Sequence, residues 1–102
     1  MAFQELIGKL RQQLIVSCQA RADNPLHGPV HMSAMAATAA QAGAAGIRAN
    51  GVADIAAIRR RVTLPIIGID KQRDPESGAI IITPDFASAR RIVEAGANIV
   101  AL

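Results

Sequence analysis

Four short apolar runs punctuate the chain: residues 14–18 (Leu-Ile-Val-Ser-Cys), 45–49 (Ala-Gly-Ile-Arg-Ala), 66–70 (Ile-Ile-Gly-Ile-Asp) and 98–102 (Asn-Ile-Val-Ala-Leu). They are nearly continuous rather than alternating, the pattern of parallel strands buried on both faces. Helical segments separate them. Residues 3–11 predict a short leading helix within a leading segment 1–13. Residues 29–41 open with Pro29 at a first helical turn, run through good helix formers and stop at Gly43. Residues 52–61 carry apolar side chains at Val52, Ile55 and Ile58, continued by Val62, before Pro65 enforces an exit. Residues 85–94 follow Thr83-Pro84 and stop at Gly96.

The order helix, β, α, β, α, β, α, β predicts an α/β fold with right-handed crossovers, residues 1–102 forming a single unit. A possible duplication is visible: Gln41-Ala42-Gly43-Ala44 before the second strand echoes Glu94-Ala95-Gly96-Ala97 before the fourth. Two architectures fit. One is a flavodoxin-like open sheet. The other is half of a (β/α)₈ (TIM) barrel, whose whole length is about 250 residues.

Composition narrows the function classes. The chain is 51% hydrophobic but only 2% aromatic, so Ala, Ile, Val and Leu must pack the core. The net charge is +3, yet the basic residues are scattered apart from Arg59-Arg60-Arg61 and Arg90-Arg91. With Phe3 and Phe86 as the only aromatics, the basic stripe and stacking platform of a nucleic-acid binder are missing. Cys18 is the sole cysteine, so no internal disulfide is expected. The first residues are charged throughout, unlike a secretory leader, and no run approaches the roughly 20 apolar residues of a membrane span. The expectation is a cytoplasmic protein with no membrane partner.

Candidate chemistry sits at the carboxyl ends of the strands, where ligands of parallel α/β proteins bind. The first strand runs out into Gln19, the second carries Arg48, and the third ends in Asp70-Lys71. A parallel sheet aligns these ends, so Gln19, Arg48 and Lys71 are expected on one rim. Singly, each is no more than a solvated polar residue. His27, in the turn-rich stretch 23–28, is a possible proton carrier or simply exposed. His31 reads as a packing or capping residue, and Met32 and Met35 as core. Residues 71–78 read as a polar loop, either a flap or a plain connection. No CxxC, HxxxH or carboxylate cluster suggests a metal, and Cys18-Gln19-Ala20-Arg21 is not a phosphate loop, so no metal, nucleotide or other cofactor is expected.

At these residues the sequence resembles the N-acetylmannosamine-6-phosphate 2-epimerase family. The resemblance rests on Leu14-Ile-Val-Ser-Cys-Gln-Ala20, Pro25-Leu-His-Gly28, Gly46-Ile-Arg-Ala-Asn-Gly51, Leu64-Pro-Ile-Ile-Gly68 with Lys71, Ile82-Thr-Pro84 and Glu94-Ala-Gly-Ala97. It implies the N-terminal half, (βα)₃β plus a leading helix, of a TIM barrel. It implies an isomerase of bacterial sialic-acid catabolism that interconverts N-acetylmannosamine-6-phosphate and N-acetylglucosamine-6-phosphate. The family's catalytic lysine maps onto Lys71, and its substrate-contacting glutamine and arginine onto Gln19 and Arg48. Inverting C2 requires removing the proton next to the C1 carbonyl of the opened sugar and returning one to the other face. A lysine does this only if its pKa falls from about 10.4 toward about 7–8, which desolvation and a neighbouring cation favour.

Two departures accompany the resemblance. The family's phosphate-binding loops and a catalytic carboxylate belong to the second half of the barrel, absent from these residues. Asp70 stands where relatives usually carry an apolar residue. The expectation is therefore negligible epimerase activity for this polypeptide alone, and self-association through an uncovered inner face. The alternative is a non-catalytic half-barrel scaffold, truncated or designed. A third reading is a barrel enzyme with a Schiff-base lysine.

Overall fold

Strand order decides between the two architectures. The structure is a computed structural model and describes residues 2–102. The elements run α1 (Phe3–Leu10), β1 (Ile15–Cys18), α2 (Pro29–Gln41), β2 (Gly46–Asn50), α3 (Val52–Arg61), β3 (Ile66–Ile69), β4 (Lys71–Arg73), β5 (Ile80–Ile82), α4 (Phe86–Ala95) and β6 (Ile99–Val100). The main sheet has the order β1-β2-β3-β6 with every neighbouring pair parallel. That order follows the chain without reversal. A flavodoxin-like sheet reverses and carries helices on both faces.

Helices α2, α3 and α4 share one face. Strand side chains alternate across a sheet, and one set of alternates enters the core. Cys18, Ile47, Ala49 and Ile66 pack with Met32 and Ala36 of α2, Ile55 and Ile58 of α3, and Ile92 of α4. The other set, Ser17, Arg48 and Ile67 in one register row, forms the inner face. Helix α1 touches that face near its amino end. A Cβ on Gly46 would lie 2.7 Å from Leu10 Cδ2, so the glycine admits the helix.

This one-sided cover corrects the expectation of strands buried on both faces. In β1 only Cys18 is buried, while Ile15 and Ser17 are exposed. The near-continuous apolar run is real, but its inner-face members meet no second layer of helices.

The sequence echo has a physical basis. Gly43 and Gly96 both take positive φ, 98° and 125°. Ala44 N–H then donates to Ala39 O at 3.0 Å, and Ala97 N–H to Ile92 O at 3.2 Å. The two helices thus end on the same hydrogen-bonded stop before each enters a strand.

The stretch 71–78 is not a plain loop. Lys71, Gln72 and Arg73 pair antiparallel with Ile82, Ile81 and Ile80, so a two-stranded ribbon rises directly from the end of β3. Its tip is closed by Asp74, which accepts from Glu76 N–H at 3.1 Å and Ser77 Oγ–H at 2.8 Å. The polar residues of the first arm obscured the ribbon, whose apolar partner is the second arm.

Candidate functional site

The end of β3 is held from two sides. Asn50, the last residue of β2, accepts from Lys71 N–H through Oδ1 at 2.8 Å. On the other flank, Asp70 N–H donates to Thr83 Oγ1 at 3.1 Å and Thr83 N–H donates to Asp70 O at 2.8 Å. Thr83 is buried and adopts φ 43°, a left-handed conformation that a β-branched residue takes at a cost. Lys71 therefore begins the ribbon at a fixed corner of the chain.

Gln19, Ala20, Arg21, Asn50 and Lys71 line a cavity of about 280 Å³ at the carboxyl end of the sheet. Gln19 follows β1, and its Nε2–H donates to Ser17 Oγ at 2.8 Å. Gln19 Oε1 is buried and has no hydrogen-bond partner among the described residues. A buried acceptor left unpaired costs about 1–3 kcal/mol, which suits an atom that meets a donor on a ligand. The wall thus offers amides from Gln19 and Asn50 and cations from Arg21 and Lys71. It suits an oxygen-rich, electron-rich small molecule.

The three expected residues are placed unequally. Gln19 and Lys71 share the cavity. Arg48 is on the same sheet face but one register row below, between Ser17 of β1 and Ile67 of β3, and does not line the cavity. It is half-buried, and no carboxylate among the described residues pairs with it. Asn50 and Arg21 escaped the sequence reading. The signal for Asn50 was the two-residue period of a strand, as it lies two beyond Arg48 in β2; Arg21 lies past the end of β1, where that period no longer applies.

Asp70 is turned away from the lysine. Its Oδ2 accepts from Gln72 Nε2–H at 3.0 Å and meets Arg91 of α4 at 3.4 Å. Its unusual charge is spent on tying the ribbon to α4. His27 also lies outside the cavity lining: its Nδ1 is 3.0 Å from Ala20 O and braces the loop after β1. Burial raises the carboxyl pKa of Asp54 in the first turn of α3, and the charge of His27 opposes that shift. His31 is exposed, and it lines an apolar hollow on α2 with Met35, whereas Met32 is fully buried. Burial raises the pKa of the Cys18 thiol, which faces the core. Among the described residues, no three His, Cys, Asp or Glu side chains gather as a metal set, and no helix is long and apolar enough to cross a membrane.

A family model described as "Putative N-acetylmannosamine-6-phosphate epimerase" matches residues 32–102. The chain belongs to the N-acetylmannosamine-6-phosphate epimerase family. Among curated relatives of this family, a protein of Caldanaerobacter subterraneus subsp. tengcongensis is 48% identical over 98 residues, covering 96% of this chain and 41% of the relative. One from Enterobacter sp. (strain 638) is 50% identical over 93 residues, covering 91% and 39%. The solved N-acetylmannosamine-6-phosphate 2-epimerase from Clostridium perfringens superposes with a TM-score of 0.89 at 38% identity, over 100% of this chain and 44% of that one. This chain thus spans about two fifths of the length of these curated epimerase relatives. Its α/β fold is the (βα)₃β half, with a leading helix, of the family's TIM barrel.

Proposed function

We propose that this chain carries the proton-transferring lysine and part of the sugar-binding wall of an epimerase acting at C2 of N-acetylmannosamine-6-phosphate. Lys71 is the group that takes the C2 proton from one face of the opened sugar or returns it to the other. Gln19 in the cavity wall, and Arg48 reaching toward it from the row below, hydrogen-bond the sugar or the oxygen that gains charge in the enolate, where fixed donors lower the barrier. Residues 1–102 act as one unit, residues 1–13 leading into it. The observation that carries the reading is the shared cavity of Lys71 and Gln19 at the strand ends. The same reading makes the protein a cytoplasmic isomerase of bacterial sialic-acid catabolism, working without a metal or nucleotide.

The test is exchange of the C2 hydrogen of N-acetylmannosamine-6-phosphate with deuterated water, followed by proton NMR. The chain alone is expected to exchange negligibly. Joined to the segment that its Clostridium perfringens relative carries beyond the match, it is expected to exchange, and Lys71→Ala in that chimera to abolish the signal. Exchange that survives Lys71→Ala would remove the lysine from the mechanism. Trapping of the sugar on Lys71 by borohydride would point instead to Schiff-base chemistry.

A second reading, a half-barrel scaffold that self-associates, draws on apolar side chains at the two sheet edges. Leu14 is 66% exposed beside β1, and Leu102, after β6, is 87% exposed. Sedimentation velocity at low micromolar concentration is expected to find dimers or larger species; a monomer would set this reading aside.

A further inference from the structure

We infer that Asn50 is a positioning residue that aims the amine of Lys71 into the polar cavity. The inference rests on the reading of Lys71 as the proton-transferring group, but its geometry stands by itself. Lys71 follows a strand of only four residues and starts a ribbon that leaves the sheet. A residue at such a corner loses the ladder partner that fixes it laterally. On the β2 side the backbone ladder ends with Gly51 N–H donating to Ile69 O at 2.9 Å. The next donor along β3 and its continuation that faces β2 is Lys71 N–H. The chain of β2 has already turned into α3 through Gly51, at φ 91°, and offers no carbonyl.

The side chain of Asn50 replaces that carbonyl, extending the ladder by one rung at 2.8 Å. The rung matters for the amine because Asn50 and Lys71 line the same cavity. A lysine side chain has four rotatable bonds, so its reach is set by where its backbone is held. Asn50 also suits the site electrically. An aspartate would make the same hydrogen bond but favour the ammonium form of Lys71, the wrong state for a base. The amide holds the backbone without adding charge.

The experiment follows Lys71 by NMR in the isotope-labelled chain, with Lys71→Arg to assign its signals. Asn50→Ala is expected to speed exchange of the Lys71 amide at least about fivefold, the worth of one ordinary hydrogen bond. It is also expected to erase cross-relaxation between the Lys71 ε-methylene and the Gln19 amide. Asn50→Asp, which keeps the acceptor, is expected to restore both. A merely structural role would leave that cross-relaxation in place.

Thermal melting reports folding of each variant. If Asn50→Ala does not fold, Asn50→Gln, which displaces the acceptor by one methylene, carries the same expectation as Asn50→Ala. Unchanged Lys71 signals in the folded alanine or glutamine variant would overturn the inference. So would an aspartate variant that restores the amide protection but not the cross-relaxation. Failure of the C2 exchange assay would sink the epimerase reading and leave these measurements intact, so the two failures are distinguishable.

Discussion

The aliphatic stem of Arg59 lies against Gly96. A Cβ on that glycine would come within 2.7 Å of Arg59 Cγ and 2.8 Å of its Cδ. From this position the guanidinium donates to Val62 O and Leu64 O, both at 2.8 Å, and to Gly96 O at 3.3 Å and Asn98 Oδ1 at 3.0 Å. Asn98 Oδ1 in turn accepts from Ile66 N–H at 2.9 Å. One side chain therefore ties the end of α3, the entrance to β3 and the entrance to β6. Arg59→Ala is expected to cost about 3 kcal/mol, since several carbonyls lose a charged donor together. Gly96→Ala is expected to cost less in the Arg59→Ala background than alone, because the clashes with Cγ and Cδ vanish while the contact with Cβ at 2.9 Å and the strain of φ 125° remain. Denaturant unfolding of the two single variants and the double variant checks this; strict additivity would contradict the contact.

Gly68 marks a similarly close approach in the middle of the sheet. A Cβ there would meet Ile92 Cγ2, Ala97 Cβ at 2.8 Å and Ile55 Cδ1 at 3.0 Å. The methyl group has no space, because the helices α3 and α4 sit directly on β3. Gly68→Ala is expected to destabilise by about 2 kcal/mol through overpacking. Ile92→Ala, costly alone, is expected to couple with it favourably in the double variant. Equal unfolding midpoints for wild type and Gly68→Ala would show that the layers can part without cost.

The sequence carried the parallel sheet because the segments holding β2 and β3 are short and largely apolar, broken in β2 only by Arg48 and Asn50 on the inner face. It carried the helix stops because Gly43 and Gly96 need a backbone conformation that other residues avoid. The antiparallel ribbon was hidden, since its first arm, Lys71-Gln72-Arg73, is polar and its apolar arm lies seven residues further on. Of the site, Gln19 and Lys71 were legible from strand ends alone. Arg48 was legible as a residue of the second strand, but its row was not, because that depends on where β2 ends, a boundary that apolar pattern leaves loose by a residue or two. Asn50 could be seen only with the fold in hand, as its role lies in a hydrogen bond across 21 residues of chain.

Acid is expected to loosen the start of α4. Asp85 caps that helix, accepting from Ser88 N–H at 2.8 Å, while Ser88 Oγ returns to Asp85 N–H at 3.3 Å. The bond from Ser88 N–H favours the carboxylate and is the first cause that holds its pKa below the ordinary 3.8, as the bonds from Glu76 and Ser77 do for Asp74. A carboxyl lowered in the folded state adds stability above the unfolded value. That contribution is lost as pH falls through the folded value. Asp54 works oppositely: burial raises its pKa, so its protonation relieves a cost as acid is added. Thermal midpoints measured from about pH 6 to 2 should fall, and fall less steeply in Asp85→Asn, which keeps an acceptor for Ser88 but cannot titrate. An unaltered slope in Asp85→Asn would assign the acid sensitivity elsewhere.

Gln19 offers the sharpest separation of stability from binding. Its Oε1 is buried without a partner, and its Nε2 bond goes to Ser17, an exposed hydroxyl that water can serve. Gln19→Leu keeps the side-chain volume and removes the unpaired acceptor. It should gain about 1 kcal/mol, a rise in Tm of about 4–8 °C for a domain of this size. The same change deletes the amide that the cavity presents beside Lys71, so titration with N-acetylmannosamine-6-phosphate should weaken or vanish. A residue kept at a cost to folding and needed for the ligand would show both effects together. Weaker binding with lower stability would mean that Gln19 props the loop after β1, and unchanged binding would remove it from the sugar-binding wall.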